Sequence, residues 1–172
     1  MLRFNRLCVC ALLATATLAL AKDHGQFKSE LSGFNEVPAI LTTGSAQLTI
    51  AVSSDQKMLN VTLRFSKLEG VAKSANLYLG FPGSTGGVVA QICGAMKPAC
   101  PTTADGTVTI SLASADILAI PAQGLTAGDL TTALHALANG AIYVNVITDK
   151  FPNGEVRGQL GRGFSIGSIL GD

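Results

Sequence analysis

Between residues 46 and 65 apolar and polar side chains alternate with a period of two, and that pattern commits the chain to strands with one wet face. Ala46, Leu48, Ile50 and Val52 lie on one side and Gln47 and Thr49 on the other, and Leu59, Val61, Leu63 and Phe65 repeat the arrangement against Asn60, Thr62 and Arg64. Successive strand side chains leave opposite faces, so this is the signature of half-buried strands. Ser53-Ser54-Asp55-Gln56 supplies turn residues between the two runs, which together read as a hairpin. Further runs predict strands at 27–31, 75–79, 88–93, 107–112, 142–147 and 155–160. Many short strands with one polar face imply an all-β, antiparallel sandwich.

One segment breaks the pattern. Thr126 and Asp129 make a capping-box-like start, Leu130, Leu134 and Leu137 recur at helical spacing, and Gly140 closes the end. This predicts one short helix capping the sandwich, with a further helical turn at 114–118, ahead of Pro121. Phe81-Pro82-Gly83-Ser84-Thr85-Gly86-Gly87 reads as a connecting loop and lacks the Gly-Lys-Ser/Thr ending of a phosphate cradle.

The first 21 residues are of another kind. Arg3 and Arg6 precede an uncharged run from Leu7 to Leu20, and Ala19-Leu20-Ala21 ends it, which reads as a signal peptide over residues 1–21. The run is shorter than the roughly 20 residues that cross a bilayer, so no stable membrane span is expected after cleavage. The expected organisation is a signal at 1–21, one domain at 22–160 and a tail at 161–172, with the product secreted or periplasmic. Losing Arg3 and Arg6 from 12 basic residues leaves ten against 11 acidic ones. No basic surface remains to attract nucleic acid.

Of the four cysteines, Cys8 and Cys10 leave with the signal, and Cys93 and Cys100 remain. In an oxidising compartment this isolated pair is expected to form a disulfide, removing roughly 2 to 3 kcal/mol of unfolded-state entropy. A redox-active or metal-binding pair would want C-x-x-C spacing or a neighbouring histidine.

Three stretches, taken together, resemble the chordin-type (CHRD) domain family. They are Leu31-Ser32-Gly33-Phe34-Asn35-Glu36-Val37-Pro38, then Gly140-Ala141-Ile142-Tyr143-Val144-Asn145-Val146, then Asn153-Gly154-Glu155-Val156-Arg157-Gly158-Gln159-Leu160. The resemblance covers 27–160, and the positions that carry it include Asn35, Glu36, Pro38, Tyr143, Asn145, Asn153, Gly154, Glu155, Arg157 and Gly158. It implies an extracellular sandwich module of immunoglobulin-like or Cu/Zn-superoxide-dismutase-like architecture, and it implies little about chemistry. Relatives often carry histidines where this chain has Asn76, Tyr78 and Ile147. An amide, a phenol and a hydrocarbon are poor replacements for imidazoles, so no metal or other cofactor is expected.

Other chemistry is thin. Beyond the signal the chain has only His24 and His135, and His135 falls in the predicted helix as a surface or boundary residue. No catalytic residue is assigned. Asp149 and Asn153 belong to a strand-to-strand turn that Pro152-Asn153-Gly154 explains structurally. Glu155 and Arg157 are expected on the exposed face of the last strand, where an ion pair contributes under about 1 kcal/mol. Asn60-Val61-Thr62 is a glycosylation acceptor in a eukaryotic host. Cleavage after Ala21 would expose Lys22-Asp23-His24, whose amine, two amides and imidazole suit planar Cu(II) or Ni(II). The expected role is an exported, non-enzymatic binding or structural module with a protein or glycan partner. The alternative is a metal-binding, oxidoreductase-like sandwich that has lost its histidines.

Overall fold

The computed structural model describes residues 25–162. The predicted signal, the Lys22-Asp23-His24 segment and the tail after Arg162 lie outside the described residues. Nine strands form: β1 (Gln26–Ser32), β2 (Ser45–Val52), β3 (Leu59–Ser66), β4 (Ala72–Leu79), β5 (Val88–Cys93), β6 (Gly106–Leu112), β7 (Ile142–Thr148), β8 (Val156–Gln159) and β9 (Gly161–Arg162). The alternating segment folds as expected, with β2 and β3 paired in unbroken register from Ser45↔Ser66 to Val52↔Leu59. Their turn is fixed by Asp55, which accepts from Ser53 Oγ at 2.6 Å and from the Lys57 amide at 3.1 Å.

All pairings are antiparallel, in the order β5-β4-β7-β8-β1-β2-β3-β6, with β9 beside β1. The expected sandwich is thus a single sheet that curls until its end strands β5 and β6 approach each other, closing almost into a barrel. Its inner face buries Leu48, Ile50, Val61, Leu63, Leu77, Ile92, Val144 and Val146 in one cluster. A fully buried aliphatic side chain contributes about 1.5 to 3 kcal/mol, so this cluster is the main source of stability.

The helix α1 (Leu130–Ala138) caps one mouth, with Leu130, Leu134 and Leu137 buried. Ala133 and Leu137 meet Ile50, Leu77 and Ile142 around a void of about 10 Å³, at or below the size one water needs. The helix starts later than Thr126. Ile120 and Leu125 pair through backbone bonds of 2.8 and 3.2 Å, and Gly128 N–H donates to Ile117 O at 2.9 Å, which holds 120–128 as turns. Asp129 then becomes the N-cap, accepting from the Thr132 amide at 2.9 Å. The predicted turn at 114–118 is a 3₁₀ turn at Ser114–Asp116, and Cys93 and Cys100 are disulfide-bonded.

Glu155 is where the structure departs furthest from the sequence reading. Expected at the surface, it is 0% exposed. Its Oε1 accepts from Thr42 Oγ1 at 2.9 Å and the Glu69 amide at 2.6 Å, while Oε2 accepts from Thr148 Oγ1 at 2.9 Å and the Gly70 amide at 3.2 Å. Four donors replace the water that a buried carboxylate gives up. Gly44 matters here because a Cβ at that position would fall 2.6 Å from Glu155 Oε1.

Candidate functional site

On the outer face of β4, β7 and β8, alternation and register place six polar or aromatic side chains together. Asn76 opposes Asn145, which opposes Arg157, and Tyr78 opposes Tyr143, which opposes Gln159. Ile147 shares that face of β7, so the three positions where relatives carry histidine lie on one side of the sheet.

This face is covered. Arg157, expected to be exposed with Glu155, is only 3% exposed because two loops fold over it. One is the segment after β1, which turns back sharply: the Glu36 and Ile40 amides both donate to Gly33 O, at 3.1 and 2.8 Å. A Cβ at Gly33 would lie 2.4 Å from Ile40 O, so the turn requires glycine. The other is the 80–87 loop, which does more than connect two strands. Arg157 Nη2 donates to Phe81 O at 3.3 Å and Ser84 O at 2.6 Å, pinning the loop, and Gly86 lies so close to Leu79 O that no Cβ fits. The Arg157 guanidinium sits 3.6 Å over the Tyr143 ring, and Tyr78 stacks beneath Tyr143 at 5.0 Å. An arginine held against an aromatic face is pre-organised and keeps its charge.

Between the two loops lies a cavity of about 430 Å³, lined by Phe34, Glu36, Val37, Pro82, Arg157 and Gln159 among others. Phe34 gives it an apolar rim and is 72% exposed, and Phe81, next in sequence to the lining residue Pro82, is 59% exposed. A large exposed ring at the mouth of a concavity that also holds a buried arginine marks a candidate interaction site.

Glu36 lies beneath that rim, buried, with Oε2 accepting from Asn145 Nδ2 at 3.1 Å. Its Oε1 has no hydrogen-bond partner, and neither does Oδ1 of Asn145 or of Asn76. Burial pushes the Glu36 carboxyl up to about 7, against the opposing pull of Arg157 and the Asn145 hydrogen bond. The neutral form relieves a neighbourhood of acceptors, because a carboxylic acid donates where a carboxylate only accepts. Folded Glu36 therefore holds its proton more tightly than unfolded Glu36. Its stabilising contribution is complete below about pH 4.5 and is lost as the pH rises through about 7. The urea midpoint should fall between about pH 5 and about pH 8, and Glu36→Gln should flatten that fall. An equal slope in the variant would show that Glu36 is not the titrating group.

The remaining sequence positions divide cleanly. Asn35 and Pro38 are exposed on the first loop, and Asn153 contributes its carbonyl to Asn145 at 3.4 Å. Gly154, at φ 131°, leaves room for Asn145 and Glu36, whose oxygens would lie 2.5 and 2.7 Å from a Cβ there. Asn60 is exposed on β3 with Oδ1 accepting from Ser111 Oγ, and His135 is exposed on α1. Asn76 and Tyr78 are joined by a 3.1 Å hydrogen bond and Tyr78 is stacked, so with Ile147 they offer no ligand set for a transition metal. Among the described residues no three His, Cys, Asp or Glu side chains cluster as metal ligands. The sequence alone does not single out the exposed Phe34 and Phe81, although a Phe beside Gly or Pro in a loop is the available signal.

The fold and site define an all-antiparallel β-module with a loop-covered sheet face and a disulfide, a construction of extracellular type. Residues 27–160 match the sequence profile of the CHRD domain, and the chain belongs to that family. No curated protein and no solved structure matches the chain.

Proposed function

We propose that this CHRD domain is an exported binding module that performs no catalysis and engages its partner through the cavity between the 33–40 and 80–87 loops. The observation that carries this reading is a concavity lined by the exposed Phe34 ring and the buried Arg157 guanidinium, beside a loop that Arg157 pins and that exposes Phe81. Export is supported by the amino-terminal Arg-apolar-Ala pattern and by the disulfide. The family is generally non-enzymatic, in keeping with a binding role.

The test uses the mature protein as bait in its native extracytoplasmic fraction, beside a Phe34→Ala/Phe81→Ala variant. Both rings are exposed, so the variant should keep the wild-type melting temperature. Its capture of a saturable partner should fall about ten-fold or more, the loss expected when interface aromatic anchors are truncated. Equal capture by both proteins would remove the cavity from the function. Stoichiometric copper or zinc retained through dialysis would instead favour an oxidoreductase-like reading.

A further inference from the structure

The cavity's chemistry narrows what it can hold. This step rests on the binding reading above and assigns a ligand class to the same site. Arg157 lines the cavity and spends Nη2 on two loop carbonyls, leaving Nη1 and Nε without a hydrogen bond among the described residues. Nε–H lies on the Nη2 side of the guanidinium and Nη1 on the Cδ side, so the two do not form a fork, and each offers an anion one charge-assisted hydrogen bond. Phe34, Val37 and Pro82 line the same cavity and provide apolar surface. A peptide adding itself as a strand is excluded at this point, because β7 and β8 are both already paired on either side.

We infer that the cavity is a binding site for a carboxylate with an apolar or C–H-rich face, its acid group on Arg157 and its apolar face against Phe34, Val37 and Pro82. A cavity of about 430 Å³ lies in the range for small-molecule sites and accommodates one or two rings. Two ligand sources share this chemistry, a sugar acid such as a uronate and an aryl or alkyl carboxylic acid. A cationic ligand would meet the guanidinium, and a neutral one would leave its charge unanswered.

Glu36 makes the assignment conditional on pH. The groups that interact with it are Arg157 from β8, Asn145 from β7 and Tyr78 from β4, so Arg157 is the one fixed charge among them. When Glu36 is neutral the cavity is cationic and receives an anion. When Glu36 ionises, it neutralises Arg157 and repels the ligand. Carboxylate affinity therefore weakens as the pH rises through about 7.

The chain has no tryptophan and only two tyrosines, and both belong to the stack beneath Arg157. Intrinsic emission therefore reports on the site directly. The mature protein is titrated with D-glucuronate and with phenylacetate, and with D-glucose and phenylacetamide as their uncharged counterparts, near pH 5.5 and near pH 8.5. Either acid should give a saturable change, and which one does so distinguishes the two sources. The uncharged compounds should give none, and affinity should drop about ten-fold at the higher pH. Glu36→Gln should bind at both pH values alike, and Arg157→Lys should bind about ten-fold or more weakly. Should Arg157→Lys fail to fold, Phe34→Ala/Phe81→Ala should weaken the same titration with the melting temperature unchanged.

Saturation by neither acid, equal binding of the uncharged compounds, or a pH dependence that survives Glu36→Gln would each overturn the carboxylate assignment. The binding reading would stand separately if Phe34→Ala/Phe81→Ala still abolished capture of the native partner.

Discussion

Glu155→Ala is expected to lower the unfolding free energy by about 4 kcal/mol, a large fraction of what a domain of this size possesses. The carboxylate is fully buried and collects two hydroxyls and two backbone amides from three separate stretches of chain, at Thr42, at Glu69 and Gly70, and at Thr148. Alanine would leave all four donors without their acceptor, and two of them are backbone groups that cannot turn elsewhere. Glu155→Gln keeps the volume but turns an NH₂ group toward a shell of donors, so it should fall between wild type and alanine. Equilibrium urea denaturation of the three proteins checks the order. An alanine variant within about 1 kcal/mol of wild type would mean that water reaches those donors.

Gly158→Ala should cost about 3 kcal/mol through crowding rather than lost bonding. Gly158 lies on β8 where that strand runs beside β1, and a Cβ there would fall 2.2 Å from Ser29 Oγ and 2.6 Å from Glu30 O. The Ser29 hydroxyl can rotate aside. The Glu30 carbonyl is main chain of β1 and cannot move without parting the two strands, which join the β5-β4-β7-β8 half of the sheet to the β1-β2-β3-β6 half. Gly161→Ala is the control, since nothing lies within 4 Å of a Cβ there and its stability should be unchanged. Equal melting temperatures for the two alanine variants would show that the strands separate at little cost.

Strand positions were legible because period-two alternation is local, and the hairpin at 45–66 follows from it residue by residue. The outer face of β7 and β8 was legible too, since Arg157 stands opposite Asn145 on it. What alternation does not encode is which outward face stays wet. Glu155 and Arg157 looked like a surface pair because their burial is imposed by segments distant in sequence, Gly33–Ile40, the 80–87 loop and Glu69-Gly70. The helix boundary shows the same limit on a smaller scale. Thr126 and Asp129 are both competent caps, and backbone bonds from Ile117 and Ile120, outside the helix, select Asp129.

Phe27 on β1 and Arg162 on β9 are direct partners, so the described chain enters and leaves the fold on neighbouring strands, about 5 Å apart. A unit built this way can be spliced into a surface loop of a larger protein without spreading the host's backbone, or strung in series with short joints. The cavity loops need not compete with those joints, because the 33–40 and 80–87 segments are internal to the chain. Such geometry makes the domain portable.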